Sequence, residues 1–265
     1  MSTDLKRTRE PIFNLPPVVF VSVLVMVAIH VARMLLTEDQ DDLLIGYLAF
    51  APERYFENAG EDAVWPGGLL SELVSPFTYA LLHNDYLHLI SNCTVFAAIG
   101  NHLARRMTAV QFLLFCLLMA PVSAVGQLLI AGYQSAPVVG VSGVICAMLG
   151  AMARLIPERK LLDWYDRDES VSNSDSPVLD TVGELRPVAH RLSGEGGRRT
   201  RVPVGIALRD PRVIRFILGF GVLNVLLVFS APILISGGAS VAWMVHIAGF
   251  IGGFFLFPYF DGGQR

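Results

Sequence analysis

The chain reads as an all-α, polytopic membrane protein: a bundle of six transmembrane helices. Three observations predict this. Hydrophobic residues fill 53% of its 265 positions and charged residues only 16%, with a mean hydropathy of +0.54. That balance suits a membrane bundle better than a soluble domain of this length. Several apolar runs approach the ~20 residues that a helical span needs. No strand-length alternation interrupts them, and backbone in lipid must satisfy its own hydrogen bonds, which selects helices.

The first span is expected over Pro17 to Leu36, where the length of the apolar run predicts an uncleaved anchor. A polar segment at 37–75 follows, and its aromatic residues Tyr47, Phe50, Tyr55, Phe56 and Trp65 predict that it rests on the membrane interface. A helical element is expected there around Asp42 to Phe50. The second span covers Leu87 to Ala104 and the third Val110 to Ala131. The fourth starts near Ser142 and should end before Pro157. A hydrophilic insert at 158–210, rich in Ser, Gly and charge, is expected to fold weakly as a solvated tether. The fifth span covers Val213 to Ile235 and the sixth Val241 to Tyr259. The resulting plan is a segment at 1–16, a six-span core at 17–259 and a tail at 260–265.

Basic residues orient the bundle. Lys6, Arg7, Arg9, Arg105, Arg106, Arg154, Arg159, Lys160 and the arginines of the insert fall on one side. The other side carries only Arg33 and Arg54 against many carboxylates. The positive-inside rule therefore places both termini and the insert in the cytoplasm and the acidic first loop outside. No basic patch is interleaved with aromatics, so nucleic acid is not an expected partner. Cys93, Cys116 and Cys146 all lie in apolar runs and form no close-spaced ligand pair. They read as buried structural thiols, with no metal or cofactor implied.

Against this background a few polar residues stand out. Ser142 opens the fourth span and His246 lies a few residues into the sixth. Both spans enter from the outer side, so the two residues share a depth. An imidazole in a membrane span is costly and marks a functional interior position. A hydroxyl and an imidazole are also the minimum parts of a nucleophile and its general base. His88 and Asn92, four apart on one helix face, sit at the outer end of the second span, with His83 just before it. Their donors, with the backbone N–H of Ser142 at a helix start, could serve a developing oxyanion. Gly249 and Gly253 behind His246 form a small-residue stripe, as do Gly143, Ala147 and Gly150 behind Ser142. Such stripes let two membrane helices pack closely. Each feature has a plainer reading: Ser142 bonding back to its own helix, or His246, His88 and Asn92 bridging helices. Their convergence at one depth carries the functional reading. His30 lacks such companions and reads as structural; His102 and His190 fall on the cytoplasmic side.

At these residues the chain resembles the rhomboid family of intramembrane serine proteases, of the bacterial six-span type. The resemblance rests on Gly140-Val141-Ser142-Gly143, on His246-Ile247-Ala248-Gly249 with Gly253, and on His83, His88 and Asn92, in the family's order and spans. It implies a Ser–His dyad in which Ser142 is the nucleophile and His246 the general base. His88, Asn92 and the Ser142 N–H would form the oxyanion hole, with His83 supporting them. The implied substrates are single-span membrane proteins cleaved in or near the transmembrane segment. The implied location is a bacterial inner membrane. A non-catalytic relative that binds membrane proteins is the alternative; a small transporter would need polar residues through the full membrane depth.

Two positions depart from the family's pattern. Where many members place an aromatic one turn after the nucleophile, this chain has Cys146, so orienting His246 is expected to fall to packing by Met244. Where an acidic residue often closes the second span, Ala104-Arg105-Arg106 stands instead. Phe216, Phe220 and Phe229 on the fifth span, with the turn around Ser230 to Ser240, are placed to flank a route by which a substrate helix leaves lipid.

Overall fold

A computed structural model describes residues 15–56, 65–131, 137–172, 202–234 and 243–261, with side chains omitted at 130–131, 158–172 and 228–234. Among the described residues the architecture is all-helical, and the only β contact is an isolated antiparallel bridge between Phe50 and Val138. The segment at 1–14, the stretch 173–201 of the insert, His190 and residues 235–242, which take in most of the turn expected around Ser230 to Ser240, lie outside the described residues.

Helix α1 (Pro17–Arg33) opens on prolines, whose fixed φ suits a helix start. Helix α2 (Glu38–Leu48) begins at a capping box, in which Gln40 N–H donates to Thr37 Oγ1 and Thr37 N–H to Gln40 Oε1. That cap explains why the loop helix starts four residues before the expected Asp42. Helix α3 (Gly68–Thr78) was not expected. Its flanking Pro66-Gly67-Gly68 and internal Pro76 read as breakers, although Leu69, Leu70, Leu73 and Phe77 supply an outward apolar face. Helices α4 (Tyr86–Ala104) and α5 (Ala109–Ala131) fall on the second and third apolar runs.

Helix α6 (Ser142–Ser172) differs from expectation at its far end. Pro157 removes one backbone donor but does not end the helix, because the residues after it (Glu158-Arg159-Lys160-Leu161-Leu162) are strong helix formers. The first residues of the insert, through Ser172, therefore continue this helix. The short α7 (Val204–Ala207), α8 (Pro211–Leu234) and α9 (Trp243–Leu256) complete the set, the last closed by a 3-10 turn over Phe257–Tyr259.

By length and composition, Ala109–Leu129 of α5 is the one described helix able to cross a membrane outright. Pro17–Arg33, Ser142–Pro157 and Trp243–Tyr259 are shorter apolar helices. The outward faces of α1, α5 and α8 are apolar, with Phe20, Val21, Leu24, Leu113, Leu117, Leu218, Val222 and Leu226 all exposed. Apolar faces of that extent are not water-facing surfaces.

Helix α9 sits at the centre, wedged between α5 and α6. A Cβ added at Gly253 would lie 1.8 Å from the Ala147 carbonyl oxygen, at Gly249 2.2 Å from that of Gly143, and at Gly150 2.0 Å from that of Phe250. Backbone thus meets backbone along the α6–α9 seam, with no room for even a methyl group. Polar contacts clamp the two ends of the bundle. At one end Arg33 grips Asp41 through two bonds of 2.7 and 2.8 Å and donates to the His83 carbonyl at 2.7 Å. At the other, Arg106 pairs with Asp261 at 2.7 Å, and Arg154 donates to the Val202 carbonyl.

Gly253→Ala should therefore destabilise the fold by about 1–3 kcal/mol, the usual range for overpacking. Gly219→Ala, on α8 with nothing within 4 Å of its added Cβ, should be neutral or slightly stabilising. Thermal melting of the two variants in detergent checks the contrast; equal melting temperatures would contradict it.

Candidate active site

The site is assembled at the starts of α4, α6 and α9. Asp85 caps α4 by accepting the His88 backbone N–H at 2.7 Å, which fixes where the first turn begins. One turn apart on that helix, His88 and Asn92 face the segment that leads into Ser142. That segment is strapped by main-chain bonds. Phe50 and Val138 exchange N–H···O bonds of 3.1 and 2.8 Å, and Gly140 N–H donates to the Tyr79 carbonyl at 2.9 Å.

Gly140 has φ +109°, a left-handed conformation that favours glycine. Its space is also taken: a Cβ there would lie 2.7 Å from His88 Nε2 and 3.4 Å from Asn92 Nδ2. Both side-chain nitrogens thus converge on the backbone two residues before Ser142. His88 Nδ1 accepts the Asn84 N–H at 3.4 Å, so a neutral His88 carries its proton on Nε2 and presents a donor there. Asn92 Nδ2 is buried without a hydrogen-bond partner among the described residues. Ser142 is the first residue of α6, so its N–H has no partner in the helix ladder.

Ser142 Oγ lies 3.0 Å from His246 Nε2. This is within the reach required of a nucleophile and its base. His246 is buried, and its other ring nitrogen, Nδ1, lies 3.0 Å from Asn224 Oδ1 on α8. The Asn224 amide nitrogen in turn donates to the Phe220 carbonyl at 3.0 Å. Asn224 was missed in the sequence. Its signal was present: a carboxamide inside the run Gly221-Val222-Leu223-Asn224-Val225-Leu226 is as unexpected there as His246 is in its own span. Nothing in the spacing of residues 224 and 246 indicates that they meet. This bond gives the His246 ring a polar partner besides the packing expected from Met244. Cys146 instead joins an apolar cluster with Phe250 and Phe254 between α6, α8 and α9.

The remaining expected residues fall as follows. His83 is fully buried, its ring edge-on to His88 at 5.1 Å, with neither ring nitrogen bonded among the described residues. Gly143, Gly249 and Gly253 lie in the α6–α9 seam. His30 is buried with its ring edge against Tyr86 at 5.0 Å, and His102 Nδ1 lies 3.0 Å from the Ala98 carbonyl oxygen. Phe216 and Phe220 stack on Phe250, with ring centroids 6.3 and 4.3 Å apart, while the side chain of Phe229 lies outside the described residues. A cleft of about 720 Å³ between α8 and α9 is lined by Phe220, Asn224, Trp243, Ile247, Ile251 and Phe255. Cys93, Cys116 and Cys146 are free thiols.

A helical bundle with outward apolar faces and a Ser–His contact at one end defines a class, that of helical membrane proteins with a hydrolase-like pair. Comparison with protein families adds a match: residues 70–165 fit the model of the rhomboid domain, which supports membership of the rhomboid family. The match takes in His83, His88, Asn92, Gly140 and Ser142; Asn224 and His246 lie beyond it. No curated protein matches the chain. A rhomboid domain implies an integral membrane protein, in a family of intramembrane proteases that act on membrane proteins and also has inactive members.

Burial, with the neighbouring His88 imidazole second, holds the His83 ring well below its ordinary 6.5, at about 3. The unfolded chain takes up this proton below about 6.5, whereas the folded one does not until about 3. The stability linked to His83 is therefore whole above pH 6.5 and is lost as pH falls from there towards 3. Melting temperature followed against pH should fall more steeply over that range in the unmodified protein than in His83→Asn; identical slopes would contradict it.

Proposed function

We propose that this protein is an intramembrane serine endopeptidase that hydrolyses peptide bonds in or near the transmembrane segments of single-span membrane proteins. The observation that carries the reading is the Ser142 Oγ–His246 Nε2 contact of 3.0 Å, formed between two helices of a rhomboid-family chain. It also favours a protease over a non-catalytic relative, which has no need of a nucleophile held against a base.

In the proposed reaction Ser142 Oγ attacks the scissile carbonyl carbon while its proton passes to His246 Nε2. The oxyanion is met by Asn92 Nδ2, His88 Nε2 and the Ser142 backbone N–H, donors aimed where charge develops. Collapse breaks the C–N bond, and His246 returns its proton to the leaving amine. Water then attacks the acyl-Ser142 ester with His246 again as base, releasing the acid and restoring the hydroxyl. His83 supports His88 by ring packing. No metal or organic cofactor has a part in this sequence of steps.

The same reading makes α1, α4, α5, α6, α8 and α9 the six spans of a 17–259 core, in a multi-pass protein of the bacterial inner membrane. Several of these helices are shorter than ~20 residues, the length that usually spans a bilayer core. Local thinning and flanking aromatic residues are the expected accommodation. The charge distribution supports cytoplasmic termini and a cytoplasmic insert at 158–210, with the α2–α3 loop outside. Ser142 and His246 then lie near the outer face, where water can reach them. Phe216 and Phe220, stacked on Phe250, would have to part for a substrate helix to enter between α8 and α9.

Cleavage of a single-span model substrate by the purified protein in lipid vesicles tests the proposal. Ser142→Ala should abolish turnover, and His246→Ala should lower it at least about 10²-fold. Asn92→Ala should lower kcat about 10²-fold with KM little changed, the signature of a contact made in the transition state. Turnover that survives Ser142→Ala would overturn the assignment.

A further inference from the structure

The sequence offers His246 no acidic partner, and the proposed site is a dyad. We infer that Asn224 is a third member, a positioning residue that sets the tautomer and the orientation of the His246 ring. The inference rests on the protease reading above and deepens it.

The assignment follows from donors and acceptors. Asn224 Nδ2 donates to the Phe220 carbonyl at 3.0 Å, four residues back on the same helix. A carbonyl oxygen only accepts, so the amide nitrogen must be on that side and the amide cannot be flipped. Oδ1 is thereby turned to His246 Nδ1, at 3.0 Å. Being a carbonyl oxygen, it too only accepts, so Nδ1 carries the ring proton. Nε2 is then the unprotonated nitrogen, and it is the one 3.0 Å from Ser142 Oγ. The chain Phe220 C=O, Asn224, His246, Ser142 thus runs in one direction and ends with a base facing its nucleophile.

Burial gives the bond its weight. Asn224 and His246 are 5% and 8% exposed. A hydrogen bond in such surroundings is strong, and its loss leaves a buried imidazole N–H unmatched. A neutral amide cannot compensate an imidazolium as a carboxylate would, but it holds the ring and selects the tautomer, the part it plays in Cys-His-Asn sites. It also accounts for Cys146. With the ring tethered through Nδ1, no aromatic is needed to stack on it, and a small residue can fill that turn.

Kinetics of the full chain in vesicles, with a single-span model substrate, test the inference. Asn224→Leu keeps the volume without the acceptor. It should lower kcat about 10²-fold, leave KM within about twofold, and slow fluorophosphonate labelling of Ser142 in proportion. Asn224→Asp supplies an oxygen to the same Nδ1–H and should recover turnover to within about tenfold of the native protein. Native kcat in Asn224→Leu, or equal losses in folded Leu and Asp variants, would overturn it. Should neither variant fold, 15N-histidine spectra of the unmodified protein decide: a protonated Nδ1 supports the assignment and an unprotonated Nδ1 overturns it. Absence of Ser142-dependent turnover in the unmodified protein would overturn the protease reading and this inference with it. Native turnover with an indifferent Asn224→Leu overturns this inference alone.

Discussion

The seam between α6 and α9 is the constraint on which the rest of the structure depends. Gly143, Ala147 and Gly150 on one helix face Gly249, Gly253 and the Phe250 backbone on the other, at distances that exclude a Cβ. Lipid supplies no hydrophobic force between helices, so close van der Waals contact must hold them. The same closeness sets the spacing of the helix starts. Ser142 and His246 belong to opposite walls of the seam and meet at its mouth because the walls cannot separate.

Around that seam the other elements each supply one fixed part. The Phe50–Val138 bridge and the Gly140–Tyr79 bond hold the strand-like lead into α6. Asp85 sets the start of α4, and Arg33, bound to Asp41 and to the His83 carbonyl, ties that start to α1 and α2. Helix α8 reaches the site through Asn224 and the stacked Phe220 and Phe250 rings. Among the described residues many of the polar side chains that would be costly singly in an apolar bundle are thus mutually engaged; the exceptions include the donor of Asn92, the rings of His30 and His83 and the Gln127 side-chain oxygen. In the proposed reaction the unmatched Asn92 donor would find its partner in the oxyanion, as a site that completes its bonds only in the transition state requires.

Much of the helical plan was legible, because apolar runs of this kind leave the backbone one economical structure. The runs beginning at Pro17, Leu87, Val110, Ser142 and Val213 all lie on helices. What escaped was decided by local chemistry that hydropathy does not record. Thr37 and Gln40 moved the start of α2, the prolines and glycines around α3 hid a helix, and Pro157 failed to stop α6. Within the site, Ser142, His246, His88 and Asn92 were visible because each is a polar group in an apolar setting. Asn224 met the same criterion, yet its partner lies on another helix, and only packing brings the two together. Met244, two residues from His246 in sequence, was the contact that sequence suggested, whereas the hydrogen bond to His246 Nδ1 comes from a different helix.

The most direct test of the central claim, that His246 activates Ser142 as a nucleophile, is to map where a fluorophosphonate attaches, by mass spectrometry of the modified protein. A single adduct on Ser142, forming far more slowly in His246→Ala, is the result this account predicts. An adduct on another serine such as Ser91 or Ser123, or labelling of Ser142 at an unchanged rate without His246, would contradict it.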